Sequence, residues 1–413
     1  PLLFVIGTAA TTDAVLLAFI LLAQWIFVEA LCEGWRRWHL PAMGLAIGGG
    51  LLTKGPLGLL IPVLCALTAL ALSKGRNHAG GWRLAIASLI GIALFLAWGL
   101  PANAATDGNF WRIAIVERLP ARIFTAMEGH GGGNLAGYLL HLPFYLFVLA
   151  VGFFPWTLYT PGALASWLSR NAAPQPGSAA GARPLLAAMI LPPLVLFTLL
   201  ATKLPHYIAP VIPWLAVAIA LPLTKEALPA VTSRIVQLCS FATAGASAVL
   251  ACALLVAPLV HPALSEFQKP MILAGILLLA SVAAALPAQI SSDFKRAARV
   301  QAGAMLVFFW MCALAFLPHA EAVAKPGQTL GKIAASQLED SDQVATFEWT
   351  EPGIHFYLGG RKINYLPDRD ALLIWSLEPG AKAFILRAER HAELVEAGHL
   401  ADYEAIAEAS GHD

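Results

Sequence analysis

The sequence predicts a polytopic α-helical membrane protein with a small α/β domain at its C-terminal end. Three observations predict it. Hydrophobic residues make up 58% of the 413 positions and charged residues only 12%, against roughly 25% charged in an ordinary soluble domain. Ten apolar runs approach the roughly 17–25 residues that span a bilayer as a helix. After Pro318 the composition changes, with frequent charges and short apolar runs.

The runs cover residues 14–31, 40–52, 56–72, 84–100, 139–165, 184–200, 207–223, 235–260, 270–286 and 299–317. The second is the shortest and is rich in glycine. Pro1–Ala10 is apolar but too short to cross, so it reads as the tail of an earlier helix and the chain as a fragment. Thr11-Thr12-Asp13 follows it, a cluster of the residue types that cap helix N-termini.

Lysine and arginine collect in cytoplasmic loops. Taken alternately, one set of loops holds Arg36, Arg37, Lys74, Arg76, Arg83, Arg170, Arg183, Lys225, Arg234, Lys295, Arg296 and Arg299. The other holds only Lys54, Arg112, Arg118, Arg122, Lys203 and Lys269. The first set is expected inside. The C-terminal domain and the turn at Asp13 are then expected outside, which in a bacterial inner membrane is the periplasm.

Residues 1–318 are thus expected to form the transmembrane domain and 319–413 the outer one. Within the latter, residues 344–347 and 383–386 read as short buried strands. Apolar stretches at 354–358, 362–365 and 371–375 lie between turn signals, and 390–397 and 401–409 read as amphipathic helices. Gly359-Gly360 reads as a turn, and no phosphate loop or nucleophile elbow is present. A formal net charge of +1 gives no ground for a nucleic-acid partner. The five cysteines stand singly in or beside apolar runs without a CxxC pair, so they read as small buried hydrophobes.

Four polar clusters fall on the expected outer side. Asp13 is either a helix cap or a carboxylate at the rim of an outward cavity. Lys54, in the turn Thr53-Lys54-Gly55-Pro56, either snorkels to the interface or holds an anionic headgroup. The long loop 101–134 carries Trp111, Arg112, Glu117, Arg118, Arg122, Glu128 and a glycine-flanked His130. A loop of that length is commonly functional, and Trp111 among apolar residues suggests an interfacial amphipathic helix. Glu128 and His130 are candidate ligands for a divalent metal, although two ligands are a weak signal. The last cluster, Lys203-Leu204-Pro205-His206-Tyr207, is either a Lys/Tyr interfacial anchor or a site. Cations for a phosphate, a carboxylate for proton transfer and apolar walls for a lipid tail together suit a lipid-phosphate substrate.

In order along the chain, Thr11-Thr12-Asp13, Leu52-Thr53-Lys54-Gly55-Pro56, Glu128-Gly129-His130-Gly131-Gly132, Phe154-Pro155-Trp156 and Lys203-Leu204-Pro205-His206-Tyr207-Ile208 resemble the bacterial branch of the protein mannosyltransferase superfamily. That branch includes the enzymes that move 4-amino-4-deoxy-L-arabinose from undecaprenyl phosphate onto lipid A. Gly353–Arg361 resembles the start of the family's outer soluble domain. The Lys-Leu-Pro-x-Tyr motif is the most specific part. The resemblance implies a GT-C glycosyltransferase fold and a polyprenyl-phosphate sugar donor, with transfer to a lipid or protein acceptor at the periplasmic face. It places Asp13 at the cavity as the catalytic acid residue of this chain. Tyr207 falls near the donor phosphate with Lys203 beside it, Lys54 and His206 belong to the same substrate-binding set, and Arg118 and Arg122 match the basic position of the long loop. Where the lipid A enzymes read Glu-His, this chain reads Glu117-Arg118, so a metal ligand of the relatives is absent at that position. The family's first outer loop, with its main acid, would precede residue 1.

The expected function is an inverting sugar transfer. A secondary transporter would instead show internal repeats and ionisable residues at mid-membrane. A non-catalytic membrane scaffold with a binding domain would have no need of the outer polar clusters.

Overall fold

The structure is a computed structural model that describes residues 1–9, 11–72, 78–124, 134–168, 179–223, 230–318, 326–339, 342–349, 352–380, 382–398 and 403–405. Its contacts divide the chain into two compact units, Pro1–Phe309 and Trp310–Asp413.

The first unit is helical. A short helix α1 (Leu2–Thr8) precedes α2 (Asp13–Glu33), α3 (His39–Lys54), α4 (Leu57–Leu72) and α5 (His78–Ala105). Then follow α6 (Phe144–Gly152), α7 (Thr160–Leu168), α8 (Ala179–Leu199), α9 (Ile212–Leu223), α10 (Ala230–Val260), α11 (Gln268–Ile290) and α12 (Phe294–Met311). Among the described residues, eight helices are long and apolar enough to cross a membrane. Their outward faces carry large apolar side chains such as Leu89, Phe147, Leu238 and Val249, because lipid offers no penalty for them.

Among the described residues, eight of the ten expected spans contain a helix long enough to cross, and two corrections apply. The run 139–165 is not one helix. It breaks after Gly152, passes through a turn with a cis Phe154-Pro155 bond, and resumes through Trp156–Tyr159 into α7. A continuous apolar run does not reveal such a break. Secondly, α3 and α4 have 16 residues each, about 24 Å of helix, short of the roughly 30 Å hydrocarbon core.

The glycines of α3 let helices approach closely. A Cβ on Gly44 would lie 2.7 Å from Ile90, and one on Gly48 2.7 Å from Leu94, both on α5. On the opposite contact, a Cβ on Gly58 of α4 would lie 2.1 Å from the Gly50 carbonyl carbon. Small residues at such crossings are how membrane helices gain packing without a hydrophobic drive between them. The core beneath is formed by Ile20, Phe27, Ile47, Ile61, Met189, Phe197 and Ile208. A second cluster joins Phe153, Tyr159, Ile219, Val236 and Phe294.

The second unit contains α13 (Pro326–Gln337), β1 (Gln343–Phe347), α14 (Pro352–Tyr357), β2 (Ile363–Leu366), α15 (Arg369–Leu377), β3 (Lys382–Ile385) and α16 (Ala388–Glu396). The strands form a parallel sheet in the order β2-β1-β3. The central strand is covered on both faces. Val344 packs with Ile354 and Leu358, while Ala345 and Phe347 pack with Leu366, Leu372, Trp375 and Leu394. Both expected strands are present, the first buried and the second only half-buried, and Gly359 and Gly360 form a turn at positive φ. The segment 401–409, expected as a helix, lies outside the described residues except for 403–405, which are not helical.

Candidate active site

Three stretches of the first unit meet at one point. Asp13 is the first residue of α2, and Lys54 the last of α3. The third is a short 3-10 turn, Pro205–Val211, that leads into α9. Gly55, at φ 66, ends α3 in a left-handed conformation that favours glycine. The chain thereby reverses at once into α4.

Lys54 Nζ donates to Asp13 Oδ1 at 2.6 Å. His206 Nε2 stands 3.7 Å from the same oxygen. Among the described residues Asp13 Oδ2 accepts no hydrogen bond. The Lys54 ammonium also lies 5.5 Å from the centre of the Tyr207 ring. That ring is held by Phe197, at 5.4 Å between centroids, and by the edge of His206, at 5.0 Å and 87°. Side-chain exposure falls from 31% at His206 through 19% at Lys54 to 11% at Asp13, so the acid is the innermost of these three.

The capping reading of Thr11-Thr12-Asp13 is not what the structure shows. Thr12 makes no side-chain cap hydrogen bond, and the Asp13 carboxylate is turned to Lys54. Nor does Lys54 snorkel outward, because its ammonium is committed to the carboxylate.

Below this polar rim lies a narrow cleft of about 20 Å³, lined by Asp13, His206 and Tyr207 at its mouth and by Leu16, Leu17, Ile20, Leu57, Ile61, Phe197, Ala209 and Pro210. Asp13, Leu16, Leu17 and Ile20 follow the i, i+3, i+4, i+7 spacing of one helix face. Sequence reasoning missed these lining residues. Their spacing was present, but α2 is apolar all round, so no stripe stands out.

Lys203 does not join the rim. It is buried at 3% exposure, and Nζ donates to the carbonyls of Phe197, Thr198 and Leu200 at 3.2, 2.5 and 2.6 Å. These are carbonyls at the C-terminal end of α8 that no further turn of helix satisfies, and a cation is favoured there. Burial lowers the Lys203 pKa from the usual lysine value. Tyr138 Oη donates to Leu199 O, and Tyr145 Oη to Leu204 O. The first half of the motif thus clamps the turn whose second half presents His206 and Tyr207.

The long loop is described only in part. Phe110 and Trp111 pack back on Trp98 and Phe95 of α5, and Arg112 pairs with Glu117 at 3.2 Å. Arg118 is exposed and makes no hydrogen bond or ion pair among the described residues. Arg122 falls in the helix Arg118–Phe124, but its side chain, Glu128 and His130 lie outside the described residues. Among the described residues no three His, Cys, Asp or Glu side chains gather as a metal site.

A family model described as dolichyl-phosphate-mannose-protein mannosyltransferase matches residues 1–100, a stretch that includes Asp13 and Lys54. Solved structures align over almost the whole chain. The crystal structure of ArnT from Cupriavidus metallidurans bound to undecaprenyl phosphate covers 96% of this chain, and 74% of that chain is matched, at a TM-score of 0.68 and 17% identity. The apo state gives 0.67 over 94% of this chain and 71% of that one. The chain has the GT-C fold of ArnT.

In sequence the chain is similar to undecaprenyl phosphate-alpha-4-amino-4-deoxy-L-arabinose arabinosyl transferases. It is 33% identical over 191 residues to that of Pseudomonas paraeruginosa, which is 46% of this chain and 32% of the relative. It is 32% identical over 213 residues to that of Pectobacterium carotovorum, 51% of this chain and 35% of the relative. The matches thus span about a third of the length of these curated relatives.

Proposed function

We propose that this chain carries the donor-phosphate site of a membrane glycosyltransferase. It would transfer a pentosyl unit, 4-amino-4-deoxy-L-arabinose, from undecaprenyl phosphate to a lipid A-like acceptor at the periplasmic face. The observation that carries the reading is the Asp13–Lys54–His206–Tyr207 group over an apolar cleft. A lipid-phosphate donor needs a cation at its phosphate and apolar walls along its first isoprene units, and both stand together here.

Lys54 faces the leaving phosphate, with Tyr207 as a further contact and the loop arginines Arg118 and Arg122 as outer cations. Positive charge placed where charge develops stabilises the transition state. Asp13 receives the acceptor hydroxyl proton on Oδ2, the oxygen left open by the Lys54 pair. Lys203 holds the turn in place rather than the phosphate. The outer location is supported by the basic loops at the other helix ends, with residues 319–413 as the periplasmic domain. The names of the relatives favour this lipid-linked aminosugar over a protein mannosyl transfer. The position of the ionisable group at helix ends, not at mid-span, disfavours a transporter.

A charge-assisted hydrogen bond contributes about 1.5–3 kcal/mol, so loss of one should weaken donor binding about tenfold or more. In the full-length protein, Lys54→Ala and Tyr207→Phe should each raise the donor KM by at least about that factor. Membrane insertion should be unaffected. Unchanged donor KM in both variants would remove the phosphate from this site.

A further inference from the structure

Every transfer leaves one proton in the site. In the proposed reaction the acceptor oxygen bonds to the anomeric carbon, and the bond from that carbon to the phosphate oxygen breaks. The electron pair leaves on polyprenyl phosphate, and the hydroxyl proton passes to Asp13. Asp13 must lose that proton before the next turnover. It is less exposed than Lys54 and His206, with its Oδ1 held by Lys54, and an ammonium accepts no proton.

We propose that His206 is the relay that carries this proton from Asp13 to solvent, a role that rests on the transferase reading above. Four observations support it. His206 Nε2 is 3.7 Å from Asp13 Oδ1, so a shift of under 1 Å brings it within hydrogen-bond reach. The imidazole is the most exposed of the three ionisable side chains, at 31% against 11% for the acid, and so spans from the acid to the outside. Its ring is set edge-on against Tyr207 at 87°, which fixes its plane beside the carboxylate. An imidazole also titrates ordinarily near pH 6.5, whereas lysine and tyrosine do not exchange protons readily near neutrality.

Among the described residues, Asp13 of α2 and Lys54 of α3 are charged groups on the His206 side of the site. Helices α1, α6, α8 and α9, which pack against the turn or its continuation, bring no charged side chain to it. In the relay, rotation of the Asp13 carboxyl group turns its protonated Oδ2 towards the imidazole, Nε2 accepts that proton, and the imidazolium then releases its Nδ1 proton outward. The net movement is one proton from the acceptor hydroxyl to water.

The test is steady-state transfer by the full-length protein in lipid bilayers, with His206→Ala and His206→Gln beside the parent. The relay predicts kcat reduced about 10–100-fold in both variants, with donor KM changed less than about twofold. It also predicts that added imidazole restores His206→Ala severalfold, and that the limb of the kcat–pH profile near neutrality disappears in both variants. Glutamine keeps the polar contacts but cannot carry a proton. Full activity in His206→Gln, or an unrescued loss in His206→Ala, would overturn the relay in favour of a packing role. A raised donor KM at unchanged kcat would overturn it in favour of a phosphate contact. Activity retained by Asp13→Asn would instead contradict the transferase reading itself, so the two failures are distinct.

Discussion

Asp13→Asn is expected to lower kcat for sugar transfer by about 10²–10⁴-fold, the usual contribution of a positioned general base. The amide is nearly isosteric with the carboxylate, so α2 should keep its start and the cleft its shape. The charge balance changes in an informative direction. Lys54 loses its partner at 2.6 Å, and its ammonium becomes available to the donor phosphate. Donor affinity should therefore be unchanged or tighter while turnover collapses. That split separates a proton acceptor from a phosphate-side residue, whose loss would raise KM. Initial-rate kinetics at several donor concentrations measure both. An equal loss in kcat and donor affinity would mean that Asp13 serves only to hold Lys54.

Gly58→Ala is expected to be the most disruptive single methyl group in the first unit. The added Cβ would lie 2.1 Å from the Gly50 carbonyl carbon, 2.4 Å from Leu51 N and 2.5 Å from Gly50 O. All three are backbone atoms, so no side-chain rotation relieves the clash and α3 must move away from α4. Overpacking of this kind costs about 1–3 kcal/mol and sometimes more, and rigid backbone on both sides places this site at the upper end. Lys54 lies four residues beyond Gly50 on the same helix, so the displacement reaches the ion pair with Asp13. Thermal stability in detergent should fall by several degrees and transfer should fall with it. Gly245→Ala is the control, because its Cβ would meet nothing within 4 Å and alanine is the better helix former. Equal stability of the two variants would contradict the close α3–α4 contact.

Much of the fold was legible because lipid imposes one requirement on every span, a long apolar helix. The runs at α2, α5, α8, α10 and α11 therefore read directly. The break between α6 and α7 did not, since residues 139–165 stay predominantly apolar while the backbone turns. In the second unit, 344–347 and 383–386 announced buried strands by their apolar content. The helix Pro326–Gln337 carries a mixed pattern and was not anticipated. The meeting of Asp13, Lys54 and His206 followed from assigning all three to one membrane side, a deduction from loop charge rather than from their own neighbourhoods. The direction of Lys203 was not readable. A lysine just beyond a helix end can reach outward to an anion or back to the last carbonyls, and only the folded structure distinguishes them. The cleft-lining Leu16, Leu17 and Ile20 were equally hidden, because in an apolar helix a residue facing a ligand tail looks like one facing lipid.

The most direct test is transfer itself. The full-length protein, purified into lipid bilayers, is supplied with undecaprenyl phosphate-linked 4-amino-4-deoxy-L-arabinose and lipid A, and the acceptor is weighed by mass spectrometry. The account predicts an acceptor heavier by one aminoarabinose residue with the parent protein and an unmodified acceptor with Asp13→Asn. An acceptor unmodified by the parent protein, or modified equally by Asp13→Asn, would contradict it.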